Sequence, residues 1–177
     1  YFWPANALAA LVLARSRRGE WPLLLGVVFL AEIAVDSYAG LPLWTGAMLG
    51  AINAFEAWVM AALTRRLIPH QRLGAVSLHS LWRFVGVCAL AAALSACFGA
   101  AALMNTGMAQ DYLTAWRIWW IGDAIGLLLF APAFWVVAEL RVRDLQQTPL
   151  RHWLEAAVLA ALLVWVASFA FGSFGSN

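Results

Sequence analysis

The sequence has no lysine, two cysteines, three histidines and few charges of either sign. Charged residues make up 11% of the chain, against about a quarter in an ordinary soluble domain, so water is not its main solvent. All eleven basic residues are arginine, and a formal net charge of +2 is too small to draw a nucleic-acid partner. Cys88 and Cys97 fall nine residues apart in one apolar stretch, about 13 Å along a helix axis, too far to pair. They read as small apolar fillers. Glycine-rich phosphate loops, Cys-x-x-Cys and His-Glu-x-x-His are all missing, and with them the nucleotide, redox and zinc-hydrolase chemistries they carry. His70, His79 and His152 are separated by loops or whole apolar stretches, so no cofactor is evident, and Ser95 has no base at its depth for hydrolase chemistry.

What the chain does have is apolar length. It is 64% hydrophobic with a mean hydropathy of +0.81, and its apolar residues come in runs of about 20 divided by short polar breaks. Six spans are predicted, roughly 2–15, 21–39, 43–64, 79–104, 115–138 and 153–172, which defines an all-α integral membrane fold. The opening Tyr1-Phe2-Trp3-Pro4 starts inside apolar sequence without an initiating Met or a charged leader segment, so the 177 residues read as a fragment and not as a signal peptide.

The breaks alternate in charge. Arg15, Arg17, Arg18, Arg65, Arg66, Arg72, Arg141, Arg143 and Arg151 lie in the first, third and fifth, whereas the second and fourth have none before Arg117 at a helix start. The positive-inside rule then puts the Arg-rich loops in the cytoplasm and both ends of the chain outside. Trp44, Trp116, Trp119 and Trp120 near the outer ends, with Trp21, Trp82 and Trp153 near the inner ones, fit interfacial aromatic belts. Trp21-Pro22 places proline in a first helical turn, Pro132 predicts a kink near Leu128, and Gly46/Gly50 and Gly122/Gly126 have the spacing of close helix contacts.

Ionisable groups within hydrocarbon cost at least about 2.5 kcal/mol each near the centre, so each one demands a reason. Glu32 and Asp36 share a face of the second span, Asn53 and Glu56 a face of the third, and Trp116, Trp120 and Asp123 a stripe of the fifth. Arg117, six residues before Asp123, points about 120° away and is not its partner. Counting inward from the outer ends puts Glu32 and Asp123 about 10 Å deep, Asp36 shallower, and Asn53 and Glu56 about 14–18 Å deep. Two readings stand. Glu32, Asp36, Asn53, Glu56 and Asp123, walled by Trp119 or Trp120, line a polar cavity open to the outside that suits a cation, an amine or a metal ion; or the acids are separate structural polar groups hydrogen-bonded to neighbouring helices. A hard metal requires three or more converging oxygen ligands, and spacing alone leaves any metal unknown. His79 and Arg83 occupy the other half of the bilayer, near enough to the surface for Arg83 to snorkel.

Asn53-Ala54-Phe55-Glu56-Ala57-Trp58 running into Leu63-Thr64-Arg65-Arg66-Leu67, and Trp119-Trp120-Ile121-Gly122-Asp123-Ala124-Ile125-Gly126 running to Ala131-Pro132, resemble a known family, the membrane-associated sensor domain of the first MASE type. Phe2-Trp3-Pro4-Ala5 and Arg18-Gly19-Glu20-Trp21-Pro22 extend the resemblance over nearly the whole chain, with the tryptophan-glycine-aspartate block its most specific part. Asn6 and Ile52 depart from it, standing where small residues and glycine are usual. The resemblance implies an eight-helix domain, with one helix before residue 1 and one after residue 177. It also implies a multi-span sensor occupying residues 1–177, at the input end of a bacterial diguanylate cyclase or histidine kinase. The matching motif residues are Asn53, Glu56, Trp119, Trp120 and Asp123.

The expected function is therefore reception of a ligand or membrane signal in the bacterial inner membrane. The expected partners are the lipid bilayer, a cytoplasmic effector domain in the same chain, a second copy in a homodimer and a membrane partner protein. A small transporter or channel for a cation or organic solute, and a plain anchor that docks a partner, remain the alternatives. Against a transporter, the two halves of the chain show no internal repeat.

Overall fold

The computed structural model describes residues 4–68 and 78–139, together with 149, 151, 154, 155, 158 and 161. Among them every regular element is helical: α1 Pro4–Arg15, a 3₁₀ turn Arg18–Glu20, α2 Trp21–Tyr38, α3 Leu43–Leu67, α4 Leu78–Asn105 and α5 Tyr112–Glu139. Four stretches are long and apolar enough to cross a bilayer: Arg18–Tyr38, Leu43–Leu67, Leu78–Asn105 and Tyr112–Ala138. The six expected spans are thus four among the described residues. α1 has 12 residues, about 18 Å of helix against a hydrocarbon core of about 30 Å, and the stretch 153–172 falls largely outside the described residues.

The helices are inside out relative to those of a soluble protein. In α2 only Trp21 and Glu32 are buried, while Leu23 and Leu30 are 73% and 64% exposed. Water would reverse that choice; lipid rewards it, because leucine gains nothing further by leaving hydrocarbon and a carboxyl gains partners. The shared interior is built from small side chains. Ala7 and Ala10 of α1, Val59 and Met60 of α3, Cys88, Ala91 and Ala92 of α4, and Leu127 and Ala131 of α5 form one cluster. Cys88 is buried in it, Cys97 is exposed, and both are free thiols.

α2 and α3 are antiparallel neighbours, joined by a turn whose glycine is required. Gly40 has φ 87°, and the bonds from Leu41 N–H to Asp36 O and from Gly40 N–H to Ser37 O close α2 in a Schellman motif. Gly107, with φ 73°, does the same for α4, with Met108 N–H bonded to Leu103 O. α5 runs through Pro132 without a break in the helix.

At the Arg-rich end the arginines act as ties between elements. Arg65 Nη1 donates to Ser16 O at 3.0 Å and its guanidinium lies over the Trp21 ring, 5.6 Å from its centroid. Arg15 of α1 lies over Trp135 of α5 at 5.7 Å, and Arg83 of α4 donates to Leu67 O at 3.3 Å. Trp21, expected in an interfacial belt, is instead 8% exposed, with its indole N–H bonded to Leu13 O at 2.9 Å. The stretch Glu139–Asn177 forms a separate compact unit, in which Arg151 and Glu155 make an exposed i,i+4 ion pair of little energetic weight.

Candidate functional site

The α2–α3 contact brings the acids in. A Cβ on Gly50 would lie 3.0 Å from Phe29 O and 3.2 Å from Glu32 Cβ; one on Gly46 would lie 3.2 Å from Asp36 Cβ and 3.4 Å from Ile33 Cα. The two glycines let α2 close on α3 at the level of its two carboxyls. One helical turn further along α3, Asn53 Nδ2 donates to Glu32 Oε1 at 2.5 Å.

Glu56 is fully buried, and side chains from three further helices gather on its carboxyl. From α1, Asn6 Nδ2 donates to Glu56 Oε2 and lies 3.3 Å from Asn53 Oδ1. From α4, Ser95 Oγ lies 3.1 Å from Glu56 Oε1 and 3.0 Å from Ala92 O. From α5, Asp123 brings a second carboxyl against that of Glu56. One buried polar network therefore takes a side chain from each of α1, α2, α3, α4 and α5. Three polar atoms in or beside it have no hydrogen-bond partner: Asn6 Oδ1, Asp123 Oδ2 and Trp119 Nε1.

The expected site residues divide. Glu32, Asn53, Glu56 and Asp123 come together. Asp36 is half-buried beside Gly46, its Oδ2 unpartnered, and bonds to none of them. Trp120 faces α4: its indole N–H donates to Ala89 O at 3.0 Å and its ring stacks on Trp116 at 5.1 Å. Trp119 seats its ring flat against Gly99, leaving no room there for a Cβ. Most of the polar atoms of the network are bonded to one another. A cavity of about 250 Å³ lies at the Arg-rich end, lined mainly by apolar groups of Ala10, Met60, Phe84, Ala131, Pro132 and Trp135.

Spacing alone does not find Asn6, Ser95 or Gly99. For Asn6 a signal exists, an amide in a run of alanine and leucine, the kind of residue that hydrocarbon penalises. Ser95, expected to have no base at its depth, has the Glu56 carboxyl beside it, to which its hydroxyl donates. Gly99 carries no signal beyond being one small residue in an alanine-rich helix. Arg117 is exposed and apart from the network, as the helical angle requires. Among the described residues no three His, Cys, Asp or Glu side chains are arranged to hold a metal ion.

Apolar spanning helices around a buried, tied polar centre define a multi-pass membrane domain. The chain belongs to the MASE1 family: the family's model matches residues 1–176, and membership makes this a membrane sensory input domain. No curated protein and no solved structure matches the chain.

Proposed function

We propose that the domain sits in the bacterial inner membrane with its Arg-rich loops in the cytoplasm and relays a signal to a cytoplasmic effector in the same chain, a diguanylate cyclase or a histidine kinase, within a homodimer. The observation that supports this is the single network centred on Glu56. Because it holds a residue from each of the five helices, whatever alters its bonding alters the packing of all five at once. A ligand or membrane change need only favour one of two arrangements by about 1–3 kcal/mol to shift output severalfold or more.

Glu56→Gln and Asp123→Asn, introduced singly into the intact parent protein, are expected to abolish or lock the stimulus-dependent change in effector activity at normal expression. Unchanged stimulus response in both variants sinks the reading.

A further inference from the structure

The network is short of hydrogens. When ionised, Glu32, Glu56 and Asp123 offer acceptors only. The amides of Asn6 and Asn53 are committed to Asn53, Glu56 and Glu32, and the one hydroxyl proton of Ser95 lies between two acceptors, Glu56 Oε1 and Ala92 O. Two acceptors are left over, Asn6 Oδ1 and Asp123 Oδ2, on residues only 1% and 9% exposed, against one unspent donor, the Trp119 indole N–H beside Asp123, so the count is still one hydrogen short. Buried acceptors without a donor are rare in folded proteins and mark a missing partner.

The charge is unbalanced in the same direction. Among the described residues, the groups facing Glu56 are Asn6 from α1, Glu32 from α2 by way of Asn53, Ser95 and the Cys88 thiol from α4, and Asp123 with Trp119 from α5; Asp36 lies one turn beyond Glu32. None of these is a cation. Arg65 and Arg83 are engaged at the far ends of α3 and α4, Arg15 lies over Trp135, and Arg117 and His79 are exposed.

We propose that this cluster is a proton-binding site seated on the Glu56–Asp123 carboxyl pair. The proposal rests on the sensory reading and names its ligand. A proton taken from water adds to one carboxylate oxygen and leaves hydroxide or buffer base behind; no other bond breaks. The pair then changes from two repelling acceptors into a donor and an acceptor, and the surplus of acceptors falls. A proton needs only one oxygen atom to bind, whereas a hard metal ion needs three or more converging ligands, and among the described residues no three His, Cys, Asp or Glu side chains are so arranged. α5 makes no extensive close backbone approach to the other helices and is held by its side chains, so its link to α3 within the network runs through Asp123. Proton occupancy accordingly decides whether α5 is drawn to α3 or repelled by it.

The test is infrared difference spectroscopy on the full-length parent protein in lipid vesicles, titrated with pH at fixed ionic strength and repeated across sodium concentrations. A protonated-carboxyl C=O band present at neutral pH and lost on alkalinisation is expected. Asp123→Asn should move its midpoint by about tenfold or more in proton concentration, and Glu56→Gln should remove or shift the band likewise. Absence of the band in the wild-type protein overturns the site without recourse to any variant. A band that follows sodium and not pH overturns the proton as ligand, and a band unchanged in both variants places the proton elsewhere. Effector output read on the same vesicles separates the two claims. A titrating band with unresponsive output keeps the proton site and rejects the sensory reading; responsive output with no band does the reverse.

Discussion

At the scale of single residues, Asn6 and Gly99 show what tertiary contact adds. Asn6 Nδ2 bridges α1 to Glu56, so Asn6→Ala strips a donor from a buried carboxyl and is expected to destabilise by about 1–3 kcal/mol, read as a lower thermal midpoint in detergent. Asn6→Asp, which adds a further acceptor to an acceptor-rich site, should be worse. Gly99 acts through shape alone. A Cβ there would overlap the Trp119 ring, so Gly99→Ala should destabilise by about 1–3 kcal/mol, and much of that penalty should vanish in a Trp119→Leu background. Gly86→Ala, where nothing lies within 4 Å, is the control and should be neutral or mildly stabilising.

At the scale of elements, the long helices were legible and their partners were not. Runs of apolar residues bounded by Arg-rich or Gly/Pro breaks placed the second to fifth spans within a few residues of where they lie, because bilayer thickness and backbone hydrogen bonding dictate helix length without reference to neighbours. Gly46 and Gly50 had the spacing of a contact, yet only the structure shows that what they admit is α2, with Glu32 and Asp36 opposite. Gly50→Leu should push α2 away and break the Asn53–Glu32 bond, seen as faster hydrogen exchange along α2. The start of α5 obeys different physics, because it lies at the water. Asp111 accepts from Thr114 N–H at 2.7 Å, and its bonding to Thr114 holds its carboxyl below the ordinary Asp value. A depressed carboxyl stabilises the folded turn above its ordinary pKa and loses that contribution as pH falls through the lowered value. The Thr114 amide resonance should therefore titrate on acidification below the usual Asp range, and Asp111→Asn should abolish that titration.

For the whole molecule, the decisive feature is that polar side chains converge from five helices, while many of the large apolar side chains face outward. A scaffold that served only to anchor an effector would need the outward apolar faces but not the converging polar side chains. Replacing residues 1–177 in the parent protein with an unrelated multi-span anchor is expected to leave a folded effector whose output no longer follows the stimulus. Full stimulus response in that chimaera would reduce the domain to an anchor. Composition, run length and the placement of arginine were enough to determine by themselves that the chain is an all-α membrane protein, since each reports how a residue partitions between water and lipid. The sequence also marked Glu32, Asn53, Glu56 and Asp123 as requiring partners, since a polar group in hydrocarbon is penalised wherever it lies. Which partner each one takes was decided by tertiary structure alone. Helix rotation and register set the approach of Asn6 to Glu56, the half-buried position of Asp36 outside the network and the turn of Trp120 toward α4, and these follow from the fit of small side chains across helix faces, which no single stretch of sequence contains.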